Sequence, residues 1–167
     1  MNRDFEKGLM ALCAGKTAFL GIGNPDRGDD GAGMALAHRL ESNGVAPVFY
    51  GNTFPEQKVP VLRDNGFENV IFLDAVDAGI EPGAAVLLDA AALQQRYPQI
   101  STHTLSLGTL ARLISDNNAC QVWLLGIQSA SIALGPQSLS PRVGQTVQRL
   151  AELITGQCPV PQESACH

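Results

Sequence analysis

Asp30, Asp74 and His103 are the residues of this sequence best suited to do chemistry together. Two carboxylates and a neutral imidazole make a mixed oxygen and nitrogen donor set. Such a set can hold a divalent transition metal and leave positions open for water or a substrate group. Asp30 follows the apolar run Phe19-Leu20-Gly21-Ile22-Gly23 and the turn Asn24-Pro25-Asp26-Arg27-Gly28-Asp29. Asp74 ends Val70-Ile71-Phe72-Leu73, and His103 lies in the loop Ser101-Thr102-His103-Thr104 before a helix. In an open α/β sheet, functional groups gather at the carboxyl ends of strands, where all three would stand. Each also has an ordinary alternative. Asp29 and Asp30 can cap a helix, Asp74 can be a turn residue, and an isolated His103 can be a surface or core histidine. Asp77 adds a second acid beside Asp74, which favours function there. Asp29 is read as support for the helix start, whereas His38 and His167 are read as solvated.

The elements that would position these residues alternate along the chain. Residues 18–23 read as a buried strand, stopped by Asn24-Pro25. From Asp30 the apolar spacing changes to Ala32, Ala35, Leu36 and Leu40, which predicts a helix to about Ser42, ended by Asn43-Gly44. Residues 45–50 predict a second strand, and 56–65 a weak helix interrupted by Pro60. Val70 to Leu73 is the clearest central strand, ending at Asp74. Residues 84–88 follow by a short turn and predict an antiparallel edge strand; 89–97 form a short helix ended by Pro98. Residues 104–115 have helical spacing, 121–127 a last core strand, and 130–140 a loop. Residues 141–155 form a final helix opened by Pro141. The fold class this predicts is a three-layer α/β/α sandwich around a mostly parallel, twisted sheet of about five strands. The chain divides into an amphipathic extension over 1–16, one α/β domain over 17–155 and a flexible tail over 156–167.

Size and charge narrow the function. At 167 residues the chain fits one domain with a substantial core. Its net charge of −5 and pI near 5.0 argue against nucleic acid as a partner. No run of about 18 uncharged apolar residues exists to span a membrane. The apolar piece Gly8-Leu9-Met10-Ala11-Leu12-Cys13-Ala14-Gly15 is short and preceded by Asp4 and Glu6, unlike an export signal. Cys13, Cys120, Cys158 and Cys166 form no C-x-x-C pair and read as reduced thiols of a cytoplasmic protein.

Other motifs fall short. Gly21-Ile22-Gly23 opens like a dinucleotide fingerprint, but Asp26 replaces the third glycine. Gly23 to Gly28 has the spacing of a phosphate loop, yet Asp29-Asp30 stand where Lys and Ser or Thr belong, and acids there would repel phosphate. There is no G-x-S-x-G nucleophile motif.

Gly21-Ile22-Gly23-Asn24 with Gly28-Asp29-Asp30-Gly31-Ala32-Gly33 resembles the signature of the hydrogenase maturation endopeptidases. The resemblance continues through Phe72-Leu73-Asp74-Ala75-Val76-Asp77-Ala78-Gly79 with Pro82-Gly83, then Thr102-His103, then Leu125-Gly126-Ile127-Gln128. It implies an endopeptidase that removes the C-terminal extension of a NiFe hydrogenase large-subunit precursor. It also implies a monomer, with Asp30, Asp74 and His103 as the metal-binding and catalytic set. The nickel would belong to the precursor, so that metal insertion precedes cutting. Whether nickel polarises the scissile carbonyl, activates a water, or positions the substrate for a carboxylate base such as Asp30 is left open. The competing readings are another metal-dependent peptidase of the same fold, such as a germination-type protease or an aminopeptidase, and a non-catalytic nickel-sensing chaperone of the precursor.

Overall fold

The structure is a computed structural model that describes residues 3–96, 106–115, 120–130 and 138–158; His103 lies outside them. Five strands form one sheet in the order β2-β1-β3-β5-β4. They are β1 (Thr17–Ile22), β2 (Val48–Asn52), β3 (Asn69–Val76), β4 (Ala85–Asp89) and β5 (Gln121–Gln128). β1, β2, β3 and β5 are parallel, and β4 pairs antiparallel with β5 at the edge, as its short approach turn predicts. The helices are α1 (Arg3–Cys13), α2 (Ala32–Ser42), α3 (Val59–Asp64), α4 (Ala90–Arg96), α5 (Leu107–Ser115) and α6 (Pro141–Thr155).

Alternate residues of the central strands feed two cores, which makes the three layers. Phe19, Ile71, Leu73, Leu125 and Ile127 pack with α1, α2 and α6 on one face. Ala18, Leu20, Val70, Phe72 and Leu124 pack with α3, α4 and α5 on the other. Because both faces are covered, β1 is buried along its whole length and reads as a continuous apolar run.

From β1 the chain crosses through α2 to β2, then returns through α3 to β3 on the opposite side of β1. The carboxyl ends of β1 and β3 therefore flank the point where the winding reverses, the usual crevice of such sheets. Strand β3 extends to Val76, two residues beyond the expected end at Asp74, because β5 keeps pairing with it as far as Gln128. Its ladder with β1 stops at Leu73, opposite Gly21. Asp74 is thus still in the sheet, one residue past the last β1 contact.

Candidate active site

Asp30 and Asp74 meet at this crevice. The chain leaves β1 through Gly23, at a φ of 119° that side chains rarely adopt. A Cβ there would collide with the Asp30 carbonyl oxygen and lie 3.8 Å from Asp74 Oδ1. Glycine therefore lets the 3-10 turn Gly28–Gly31 fold back over the strand end. Gly33 completes the approach. A Cβ there would overlap the carbonyl oxygens of Leu73 and Ile22, so the first turn of α2 rests directly on β1 and β3.

The two carboxyl groups are 8% and 3% exposed. The Asn24 amide donates to Asp30 Oδ2 at 3.1 Å, and the Ala75 amide donates to Asp74 Oδ1 at 2.8 Å. Burial, reinforced by the charge of Asp30, pushes the Asp74 carboxyl well above the usual carboxylate range, against a smaller opposing effect of the Ala75 amide. Two neighbouring carboxylates taken out of water are costly unless a proton or a cation separates them. The pair can therefore hold a proton for acid–base work or offer hard oxygen donors to a divalent cation, and its chemistry fits either. His103, the third expected member, falls outside the described residues.

Asp29 is used differently from its neighbour and from expectation. Neither the 3-10 turn nor α2 has a side-chain cap hydrogen bond. The Asp29 carboxylate instead accepts from the Ala130 amide at 2.8 Å, the Ser140 amide at 2.7 Å and the Ser140 hydroxyl at 2.9 Å. Ser140 is the N-cap of α6, where negative charge is favourable. Asp29 supports a helix start, but that of α6 rather than α2.

Gln128 and Arg27, quoted in the motifs but given no role there, also belong to this edge. The 5%-exposed Gln128 side chain accepts from the Ala78 amide at 2.8 Å and donates to the Ser129 carbonyl at 3.1 Å. It thereby fixes the loop leaving β3, and also donates to Asp77 Oδ1 at 3.4 Å. The sequence signals it by a glutamine closing the apolar run Leu125-Gly126-Ile127-Gln128, the last of the motifs that carry the family resemblance. Arg27, in the Asp30 turn, has its Nε buried without a hydrogen-bond partner among the described residues. A groove of about 260 Å³ opens beside the same turn, lined by Pro25, Gly28, Gly31, Met34, His38 and Leu139. His38 is exposed, as expected, with its ring stacked on Tyr50 at 4.6 Å between centroids.

The fold is thus a mostly parallel α/β/α sheet with two buried carboxylates, Asp30 and Asp74, at its switch point. Residues 33–157 match a family model described as Hydrogenase maturation protease, a span that begins just after Asp30 and includes Asp74 and position 103. The chain belongs to the hydrogenase maturation protease family, as its motifs suggest. It is 30% identical over 112 residues to the Hydrogenase 3 maturation protease of Escherichia coli K12, covering 66% of this chain and 70% of that one. The crystal structure of a NiFe hydrogenase maturation protease HycI from Thermococcus kodakarensis KOD1 superposes with a TM-score of 0.79 at 30% identity, covering 89% and 97% of the two chains. The solution structure of an endopeptidase HycI from Escherichia coli shares the fold, with a TM-score of 0.73 at 24% identity and coverages of 89% and 99%.

Proposed function

We propose that this protein is the endopeptidase that removes the C-terminal extension of a nickel-loaded NiFe hydrogenase large-subunit precursor. The observation that carries the reading is the buried Asp30–Asp74 pair at the β1–β3 crevice, in a chain of the hydrogenase maturation protease family. Nickel enters as part of the substrate. Two carboxylates, with His103 as the third member, supply part of a coordination sphere and leave the remainder to the precursor. Metal loading is then a condition of productive binding.

Within that complex, the Asn24 and Ala75 amides hold the two carboxyl groups in place. Burial and the charge of Asp30 disfavour the ionised form of the Asp74 carboxyl in the free protein, and a cation reaching the pair would favour it, because positive charge offsets that repulsion. The groove beside the Asp30 turn is the place for the precursor chain. Asp30, Asp74 and His103 would hold the precursor's nickel, which would supply Lewis-acid chemistry at the scissile bond.

The test is to incubate the protein with nickel-loaded and nickel-free precursor and weigh the products. The loaded form should lose its C-terminal extension while the nickel-free form stays intact. Cleavage of both forms overturns the role of nickel, and binding of the loaded form without cleavage favours a chaperone.

A further inference from the structure

The two ends of the described chain meet on the side of the sheet covered by α1 and α6. Cys13 is the last residue of α1, 1% exposed, within the core cluster that includes Leu9, Leu12, Leu150 and Ile154. Cys158 stands just past α6, half-buried, and packs against the same cluster. Its position is set by its amide, which donates to the Ile154 carbonyl at 2.9 Å. Residues 156–158, assigned to a flexible tail by the sequence, therefore continue the hydrogen bonding of α6. Both cysteines thus pack in one cluster, where the end of α1 meets the end of α6, and each thiol influences the ionisation of the other. Cys120 lies in the core cluster on the opposite face of the sheet.

We propose that Cys13 and Cys158 are a redox modification site, a dithiol that a peroxide converts to a reversible disulfide joining α1 to the end of α6. Cys158 is the attacking thiol because it is the more exposed of the two and its contact with Cys13 lowers its value, whereas that contact and burial raise Cys13. Its thiolate sulfur attacks one peroxide oxygen and the O–O bond breaks. The departing oxygen leaves as water, and Cys158 becomes a sulfenic acid. The Cys13 sulfur then attacks the Cys158 sulfur. The S–O bond breaks, the S–S bond forms, and a second water carries away the Cys13 proton. Two thiols and one hydrogen peroxide become one disulfide and two waters, and a thiol reductant reverses the change. Because the cross-link would close nearly the whole described chain into one loop, its effect on the unfolded state is large, equivalent to a rise in Tm of about 10 °C.

The experiment treats the full chain with dilute hydrogen peroxide, alkylates remaining thiols, and combines peptide mapping with thermal melts followed at Trp123, the only tryptophan. The expected result is a Cys13–Cys158 cross-linked peptide and a Tm about 10 °C higher, both reversed by dithiothreitol. Cys158→Ser, at a half-buried position that does not endanger folding, should abolish both, while Cys120→Ser and Cys166→Ser should retain both. Peroxide-treated protein in which Cys158 is joined to Cys166 or to a second chain overturns the proposal. So does protein in which Cys13 and Cys158 remain fully alkylatable.

Discussion

Asp29 and Asp30 are adjacent in sequence and both buried, yet they serve opposite ends. The Asp29 carboxylate faces two amides and a hydroxyl and is placed at the start of a 15-residue helix. Its charge is met by donors already in the fold, so burial there is compensated and the group acts as a structural tie. Asp30 accepts from the Asn24 amide and is turned toward Asp74, a second acid that burial already disfavours as an anion. Among the described residues, no basic side chain forms an ion pair with either acid at this second location. The contrast shows that burial of an acid does not by itself mark an active site. What marks it is the nature of the groups facing the acid.

Neutralising each acid in turn separates the two roles. Asp30→Asn and Asp74→Asn should each reduce processing of a nickel-loaded precursor by at least about 100-fold, with the fold intact. His103→Ala should act similarly. Full processing by any of these variants, followed by mass spectrometry of the precursor, removes that residue from the set. Asp29→Ala should instead destabilise the protein by ~3 kcal/mol, since it strands two amides and a hydroxyl. In a thermal melt that is a Tm lower by roughly 10 °C. Its processing rate, measured where the variant is folded, should fall far less than that of Asp30→Asn.

The smallest expected effect separates the acids by sign. Folding raises the Asp74 value, so the folded protein binds more protons than the unfolded chain between the two values. Its contribution to stability is fully present below the unfolded value near 3.8 and is lost as pH rises through the folded value. Asp74→Asn should therefore raise Tm by a few degrees at neutral pH and flatten that part of the stability profile, while Asp29→Ala lowers Tm. A Tm that falls in both variants would place Asp74 among the structural acids.

The sequence made the layers legible because local chemistry and tertiary packing agree there. Pro141 and Gly156 bracket α6, which spans Pro141–Thr155 as the pattern predicts. Runs such as Val70 to Leu73 are apolar throughout because helices cover both faces of the sheet. The end of β3 was less legible. An Asp after an apolar run reads as a turn, yet β5 holds Asp74, Ala75 and Val76 in the ladder. Asp29 was readable as support for a helix start, but not which helix, since its partners Ala130 and Ser140 lie 101 and 111 residues away. Asp30 and Asp74 were readable as candidates from their places after strands, but their proximity depends on the reversal of winding and on Gly23 and Gly33.

On the proposed function, Asp30 and Asp74 form a site that a nickel-bearing substrate completes. The most direct measurement compares the rate at which the wild-type protein shortens nickel-loaded and nickel-free large-subunit precursor, with Asp74→Asn run in parallel. A shortened product is expected only from the loaded precursor and only with the wild-type protein. Equal cleavage of both precursors, or undiminished cleavage by Asp74→Asn, would contradict it.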